Sequence, residues 1–388
     1  MMSSTSSYHH GARKVFRMLT WISLAAVVLV SPPAEGFTSP IHNVFGARHN
    51  LYNLRQRRVS SSRCRLQMNL PGQVSKKVIV TGAAGRTGSL VFSLLDKDPR
   101  FDVVGLVRSE ASAKKLIAKT KCLLEEVVIS DVTQMQFDKL DDDDDNDDKH
   151  PWPYALDDTE AMVICTSAVP QISKRSVLKA MLKIPLNILT PKKKAINFRD
   201  LQFKYRPGQY PEMVDYVGQK KQIDFAKKLG VKHVVLVSSM GGLDTNNFLN
   251  QIGKDKEGNG HGDILIWKRM AEKYLCESGL QYTIIHPGGL VDTEPSKMEL
   301  VLDVDDALMQ REKKSISRGD VANLCIASLT ESVGRSVAFD CVGEEVAAVD
   351  GGGEPVAVKG AEDVLREFLT TGKTADYTLE PGTQSTMT

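Results

Sequence analysis

The sequence predicts an α/β fold in which helices cover both faces of a doubly wound parallel sheet. From Val74 onward, short β-branched runs alternate with longer helical patterns, which is typical of βαβ units. The runs are almost continuously apolar, as expected for strands that are buried on both faces. A glycine-rich loop at residues 82–88 follows the first run and precedes the first helical pattern. These three observations together predict a Rossmann-like domain.

Seven strands are predicted, at residues 77–81, 102–107, 127–130, 161–166, 233–237, 282–286 and 336–340. Helices are predicted at residues 87–95, 111–119, 212–229, 267–278, 318–330 and 361–370. The domain is expected to span residues 70–370, with a small C-terminal region on the substrate side of the sheet. A Thr-rich tail at 371–388 is expected to be disordered.

Three stretches interrupt the alternation of strands and helices. Residues 138–149 are dominated by aspartate and predict a solvated, disordered insertion. Residues 174–211 are long and basic, and they are expected to lie over the carboxyl edge of the sheet. Residues 246–262 are rich in Gly and Asn and predict a mobile loop.

The first 69 residues differ from the rest. Residues 1–36 read as a signal peptide, since a basic start precedes an apolar core of 13 residues at 18–30, too short to span a bilayer. Residues 37–69 are rich in Arg and Ser and contain no Asp or Glu, which is typical of a transit peptide. The pair resembles the two-part plastid leader of algae with secondary plastids and predicts delivery to the plastid stroma. The junction Ala34–Phe37 departs from the usual pattern, so secretion and a mitochondrial address stay open.

Charge and cysteine usage narrow the function classes. The leader carries nine Lys or Arg and one Glu, so the formal net charge of +2 becomes +2 − 8 = −6 without it. A mildly acidic body argues against a nucleic-acid binder, and no membrane-spanning segment is expected in the mature form. The six cysteines form no CxxC pair, which favours free thiols over disulfides. Four histidines lie beyond the leader without metal-ligand spacing, so no metal site is expected.

The loop Gly82-Ala83-Ala84-Gly85-Arg86-Thr87-Gly88 has the spacing of a dinucleotide-binding turn. Gly82 permits the tight turn, Gly85 lets the backbone approach a diphosphate, and Gly88 allows close packing of helix on strand. The start of the following helix, at Thr87, offers free N–H groups to a phosphate. Ala84 belongs to the same turn, and all these positions are predicted to bind the cofactor.

The second strand ends in Arg108, where an NAD site usually has an acid. A guanidinium suits a 2′-phosphate, whereas a carboxylate would repel it. If Arg86 and Arg108 converge, the cofactor is NADP rather than NAD. The alternative is that Arg108 is simply a solvated charge at a strand end.

Two further strand ends are expected to line the cofactor. Asp131 and Val132 follow the third strand, where Asp131 could bind the adenine amino group. Thr166, Ser167 and Ala168 follow the fourth and leave room for ribose and nicotinamide. Both segments fall at carboxyl ends of parallel strands, where such sheets bind ligands, although each residue could equally belong to a structural turn.

Several segments occur in one order that marks a family. Besides the glycine loop they are Gly105-Leu106-Val107-Arg108-Ser109, Thr166-Ser167-Ala168-Val169-Pro170, Val214-Asp215-Tyr216-Val217-Gly218-Gln219-Lys220, Ser238-Ser239-Met240-Gly241-Gly242 and Ile264-Leu265-Ile266-Trp267-Lys268. Across residues 74–343 the sequence resembles the atypical short-chain dehydrogenase/reductases of plants and algae, NAD(P)-binding proteins related to the plastid protein Tic62.

This resemblance implies roles for two residues and shows one departure. Lys268 matches the lysine that binds the nicotinamide ribose and lowers the pKa of a catalytic tyrosine. That tyrosine would stand four residues earlier, on the same helix face, but the position holds Ile264. Ser239 matches the serine that polarises a carbonyl. Ser239 and Lys268 are therefore the candidate catalytic residues, without the usual proton donor.

Two functions stay open at this point. One is an oxidoreductase that acts on an unidentified small molecule with NADP(H). In that case Tyr210 or Tyr216 could replace the missing tyrosine, and His286 could reach the pocket, although each could also be a structural residue. The other is a non-catalytic protein that senses the plastid NADPH/NADP ratio and passes it to a protein partner, for which the basic run Lys192–Lys194 is a candidate contact.

Overall fold

The computed structural model describes residues 75–131, 154–173, 176, 202–255, 257–345 and 358–382, all within the compact unit Met68–Thr388. The predictions for the leader, the acidic insertion, Val132 and the basic run Lys192–Lys194 lie outside the described residues. None of the helices in the described part is long and apolar enough to span a bilayer.

An eight-stranded sheet forms the centre of the fold. Its strands are β1 (Lys76–Thr81), β2 (Phe101–Val107), β3 (Val127–Ile129), β4 (Ala161–Ile164), β7 (His233–Val237), β8 (Gln281–Pro287), β10 (Glu299–Asp303) and β12 (Val337–Glu344). Two separate two-stranded sheets are formed by β5 (Gln171–Ile172) with β6 (Phe203–Lys204) and by β9 (Gly289–Val291) with β11 (Ser315–Ser317). The order across the large sheet is β10-β12-β8-β7-β4-β1-β2-β3. Strand order reverses between β1 and β4, the switch point at which Rossmann sheets bind ligands.

Helices lie on both faces of this sheet. They are α1 (Gly88–Lys97), α2 (Glu110–Thr120), α3 (Gln219–Lys228), α4 (Phe248–Gln251), α5 (Ile264–Glu277), α6 (Arg318–Glu331) and α7 (Ala361–Thr370), with a π-helix (Glu212–Gly218) leading into α3. Apolar residues of α1, α2, α6 and α7 pack on one face of the sheet, and those of α3 and α5 pack on the other. The predicted fold class is confirmed.

The seven predicted strands all occur in the parallel part of the sheet. Strand β10 was not predicted, and it pairs antiparallel with β12 at the sheet edge. It is mostly half-exposed, so it lacks the continuous apolar run that marks a buried strand. Strands β9 and β11 pair in parallel with each other, and the small C-terminal region on the substrate side stays a prediction.

The prediction of a disordered tail is wrong for residues 371–382. Ala375 is buried and its N–H donates to the Ala338 carbonyl at 2.9 Å. Arg269 donates to the carbonyls of Asp376 at 3.1 Å and Leu379 at 2.8 Å. The Thr-rich composition suggested no core contact, but Ala375 and Tyr377 pack against the α3–α5 side of the core. Residues 246–262, expected to be a mobile loop, include helix α4 and a bridge between Lys254 and Gly260.

Candidate functional site

The glycine loop connects β1 to α1 at the switch point. Gly82 has a φ of +64°, which glycine adopts without strain. A Cβ on Gly88 would lie 2.4 Å from the Gly82 carbonyl oxygen, so only glycine lets α1 begin this close to the turn. Gly85 is exposed and its N–H donates to Gly82 at 2.8 Å. Ala84 and Thr87 are half-buried in the same turn, and the Thr87 side chain does not cap α1. The Ser89 N–H already donates to the Gly85 carbonyl at 3.2 Å, so the N–H groups of Thr87 and Gly88 are the ones that can face an anion.

The two arginines contact different segments of the chain. Arg86 forms an exposed ion pair with Asp292, which follows β9. Arg108 donates a hydrogen bond to Gln209, which precedes the π-helix. Their predicted convergence on a 2′-phosphate stays a prediction.

The segment after β4 is held from the π-helix side. The Thr166 carbonyl accepts a hydrogen bond from Gln219 at 2.9 Å, and its hydroxyl accepts one from Gln222 at 3.0 Å. The N–H of Ala168 donates to Asp215 at 2.9 Å. Ser167, between these anchored residues, is exposed. Asp131, after β3, is half-buried. Asp131 and residues 166–168 all lie at the carboxyl edge of the sheet, where β1 also ends.

Lys268 has a buried acidic partner that the sequence interpretation missed. Its ammonium lies 2.8 Å from Oδ1 of Asp215, and their side chains are 7% and 0% exposed. Oδ2 of the same carboxylate accepts the Ala168 hydrogen bond. Asp215 therefore ties Lys268 on α5 to the segment after β4, so that two walls of the site are held by one carboxylate. Its position in a π-helix is also typical of functional sites.

A signal for Asp215 was present in the sequence. Asp215, Gln219 and Gln222 follow one another at steps of four and three residues, which places them on one helix face. The structure buries all three almost completely. Polar side chains on a buried face require partners, and here the partners are Lys268 and the segment after β4.

Ser239 follows β7 at the same edge of the sheet. It is half-buried and its hydroxyl donates to the Met240 carbonyl at 3.1 Å. The next turn is fixed by Asp306, which accepts hydrogen bonds from the N–H groups of Gly241 at 2.6 Å and Leu243 at 2.9 Å. Ser239 is thus followed by a turn that hydrogen bonds hold in place, and its role at a substrate stays a prediction.

The tyrosines considered as substitutes have other contacts. Tyr210 stacks on His261 with ring centroids 3.4 Å apart, and Tyr216 stacks on Trp267 at 5.9 Å. A third tyrosine, Tyr205, lies just before Tyr210 in the chain. Burial and, to a smaller extent, the charge of Asp215 raise the pKa of Tyr205 well above its usual value. Tyr205 therefore differs from the acidified tyrosine of a typical reductase.

His286 belongs to a buried charged cluster rather than to an open pocket. Its Nε2 lies 3.3 Å from Glu272 and its Nδ1 lies 3.1 Å from Asp340. Tyr377 of the tail donates to Glu272 at 3.2 Å, and Ser238 donates to the other oxygen of Glu272. Through the hydrogen bond from Ser238 to Glu272, this cluster holds the Ser238–Ser239 segment. These contacts favour a structural role for His286.

The thiols fit the expectation of free cysteines. Cys122, Cys165, Cys276, Cys325 and Cys341 are all free. Burial raises the pKa of Cys165 to about 12, so this thiol, which lies against Gly88 in the glycine loop, stays protonated and inert at neutral pH.

The chain is similar to several known proteins. A family model described as NAD(P)H-binding matches residues 155–332. Sanguinarine reductase of Eschscholzia californica is 40% identical over 69% of this chain and 89% of its own length. A chloroplastic protein of Arabidopsis thaliana, At2g37660, is 38% identical over 68% of each chain. The chloroplastic protein TIC 62 of Arabidopsis thaliana is 32% identical over 35% of this chain and 20% of its own length.

Proposed function

The chain belongs to the atypical short-chain dehydrogenase/reductases, a family of NAD(P)-binding proteins, and we propose that it is an NADPH-dependent reductase of a small cationic electrophile. The observation that carries this proposal is that Lys268 and Ser239 are retained while Ile264 stands where a proton-donating tyrosine is usual. The relative named sanguinarine reductase supports the reductase assignment.

The glycine loop fits a dinucleotide diphosphate. At Gly82, Gly85 and Gly88 a Cβ would lie 2.9 Å or less from a backbone oxygen, so the turn keeps its tight form only with glycine. Arg86 and the N–H groups at Thr87 would neutralise the diphosphate. Arg108 would hold the 2′-phosphate, since a guanidinium rather than an acid ends β2. We therefore assign NADP(H) rather than NAD(H).

Lys268 would bind the nicotinamide ribose, and Asp215 would hold its ammonium in place. An ion pair this deeply buried is costly to break, because one charge would remain without a partner. Ser239 would donate a hydrogen bond to the substrate. Thr166, Ser167 and Ala168 would form the wall beside the nicotinamide, and Asp131 and Val132 would border the adenine.

Because Ile264 cannot donate a proton, it limits the class of substrate that the protein can reduce. When bound, NADPH supplies a hydride. Carbonyl reduction also needs a proton, which an isoleucine cannot provide. Reduction of an iminium carbon forms one C–H bond and moves the π pair of C=N⁺ to nitrogen, so the product is a neutral amine and no proton is consumed. An iminium cation is therefore the electrophile that this set of residues can reduce without further help.

The test compares matched substrates. The purified protein is mixed with NADPH, and absorbance at 340 nm is followed with sanguinarine, with simple N-alkyl iminium ions and with ketones of similar size. We expect turnover of an iminium and little turnover of ketones. Ketone reduction at equal rates would refute the argument from Ile264. Tight NADPH binding without any turnover would instead support the redox-sensing alternative.

We also propose that the protein works in the plastid stroma. Two relatives are named chloroplastic, and residues 1–36 and 37–69 have the composition of a signal and a transit segment. Fusing residues 1–69 to a fluorescent protein in an alga with secondary plastids tests this directly. Secretion of the reporter would contradict it.

A further inference from the structure

Residues 292–296, here called the strap, lie in the connection between β9 and β10 and contact the start of α6. The Ser317 hydroxyl donates to the Thr293 carbonyl at 2.9 Å, and the Ser296 N–H donates to Asp320 at 2.8 Å. Pro295 lies so close to Gly319 that a Cβ there would be 2.8 Å from it. The strap is thus fixed to the first turn of α6 at three points.

Asp292, the first residue of the strap, is held between two arginines. Its Oδ1 lies 2.6 Å from Arg318, whose side chain is only 11% exposed. Its Oδ2 pairs with Arg86 of the glycine loop. Each carboxylate oxygen therefore meets one guanidinium, in the kind of charge-assisted contact that a guanidinium also makes with a phosphate oxygen. Slight burial opposes ionisation, but the hydrogen bond from Arg86 and the charge of Arg318 hold the pKa of Asp292 below its usual range.

The two ion pairs of Asp292 differ in how easily they can break. Arg318 is largely buried and keeps Asp292 in position. Arg86 and Asp292 are 64% and 65% exposed, and an ion pair this exposed contributes little to stability. Arg86 directly precedes Thr87, at the start of α1, and the Thr87 side chain does not cap this helix. It can therefore leave Asp292 for an anion at the start of that helix at small cost.

We propose that Asp292 is an internal competitor for Arg86, which weakens binding of the dinucleotide diphosphate and so sets cofactor affinity. This inference rests on the proposed function, since it needs a dinucleotide at the glycine loop. The carboxylate acts in two ways, because it occupies Arg86 before binding and repels a diphosphate afterwards. It is a positioning and affinity-determining residue rather than a catalytic one.

The test uses Asp292→Asn, which keeps an oxygen for Arg318 and removes the charge. Binding of NADPH and NADH is measured by nicotinamide fluorescence. From the strength of exposed ion pairs we expect both coenzymes to bind about 2- to 5-fold more tightly. Glu294→Gln is the matched control, because it removes an exposed carboxylate of the same strap that lies 3.7 Å from Lys297. It should leave both affinities unchanged.

A double-mutant cycle isolates the route through Arg86. Arg86→Gln should weaken both coenzymes, and adding Asp292→Asn to it should give less gain than in the wild type. Unchanged or weaker binding by Asp292→Asn, or a gain confined to NADPH, would overturn the proposal. An equal gain with and without Arg86 would also overturn it. If the wild type binds neither coenzyme, the proposed function itself fails, which is a different result.

Discussion

The buried histidine His286 gives the protein a stability that depends on pH. Burial alone would lower its pKa, but the charge of Glu272 and the hydrogen bonds to Asp340 and Glu272 raise it to about 10. In the unfolded chain the pKa of a histidine is about 6.5. The folded protein therefore keeps a proton that the unfolded chain releases near neutral pH.

The sign and the slope follow from this difference. A group whose pKa is raised on folding contributes stability that is fully present below the unfolded pKa and is lost as pH rises toward the folded one. One proton corresponds to about 1.4 kcal/mol per pH unit. Between pH 6.5 and 7.5, where the unfolded histidine is only partly deprotonated at first, we expect the contribution of His286 to the unfolding free energy to fall by about 1 kcal/mol. Burial lowers the pKa of His233 to about 4, so His233 offsets a smaller part of this decline and the net fall is below about 1 kcal/mol.

The assay is urea unfolding at pH 6.5, 7.0 and 7.5 with the wild type and Glu272→Gln. This substitution removes the largest influence that raises the pKa of His286, so the decline with pH should become clearly shallower. Glu380→Gln is the control, since Glu380 is an exposed carboxylate of the tail that pairs with Lys273 at 3.0 Å. Its slope should match the wild type. An equal decline in Glu272→Gln, or no decline in the wild type, would refute the reasoning.

Three further predictions concern the site. Arg108→Ala should weaken NADPH binding about tenfold or more, because it removes a charge-assisted hydrogen bond, and it should change NADH binding little. Titrations with both coenzymes measure this, and equal losses of affinity would contradict the assignment of Arg108 to the 2′-phosphate. Gly88→Ala should lower the unfolding free energy by about 1–3 kcal/mol, because its Cβ would lie 2.4 Å from the Gly82 oxygen; urea unfolding measures this, and an unchanged midpoint would show that the turn relaxes freely. Ile264→Tyr should add NADPH-dependent ketone reduction, because a tyrosine there would share the helix face of Lys268; a variant that binds NADPH but gains no such activity would count against that geometry.

The central sheet could be predicted because its signal is local. Each parallel strand is buried on both faces, so it appears as an apolar run, and loops at Gly82 and elsewhere punctuate the runs. Strand β10 could not be predicted in this way, since it lies at an edge and is mostly half-exposed. That residues 371–382 are ordered could not be predicted for a related reason. Ala375 and Tyr377 pack against core residues that come from distant segments of the chain.

For the site too, local features could be predicted from the sequence and long-range contacts could not. The glycine loop and the spacing of Ile264 and Lys268 are local patterns, and they could be interpreted without knowing the fold. The bridge from Arg86 to Asp292 joins residues 206 positions apart. Pairings over such distances depend on the strand order and on the path of each connection, neither of which a single sequence states.

The sequence nevertheless indicates that some residues need a long-range partner, because charged residues occur on helix faces that pack in the core. Lys268 and Glu272 lie four residues apart on α5, and both are buried. Asp215 and Gln219 have the same spacing on the facing helical segment. A charged residue on a helix face that the apolar pattern turns toward the core must find a partner, because an unpaired buried charge is too costly. The sequence could therefore establish that Lys268 and Asp215 each need an opposite charge, and the fold supplies the remaining fact that they meet each other.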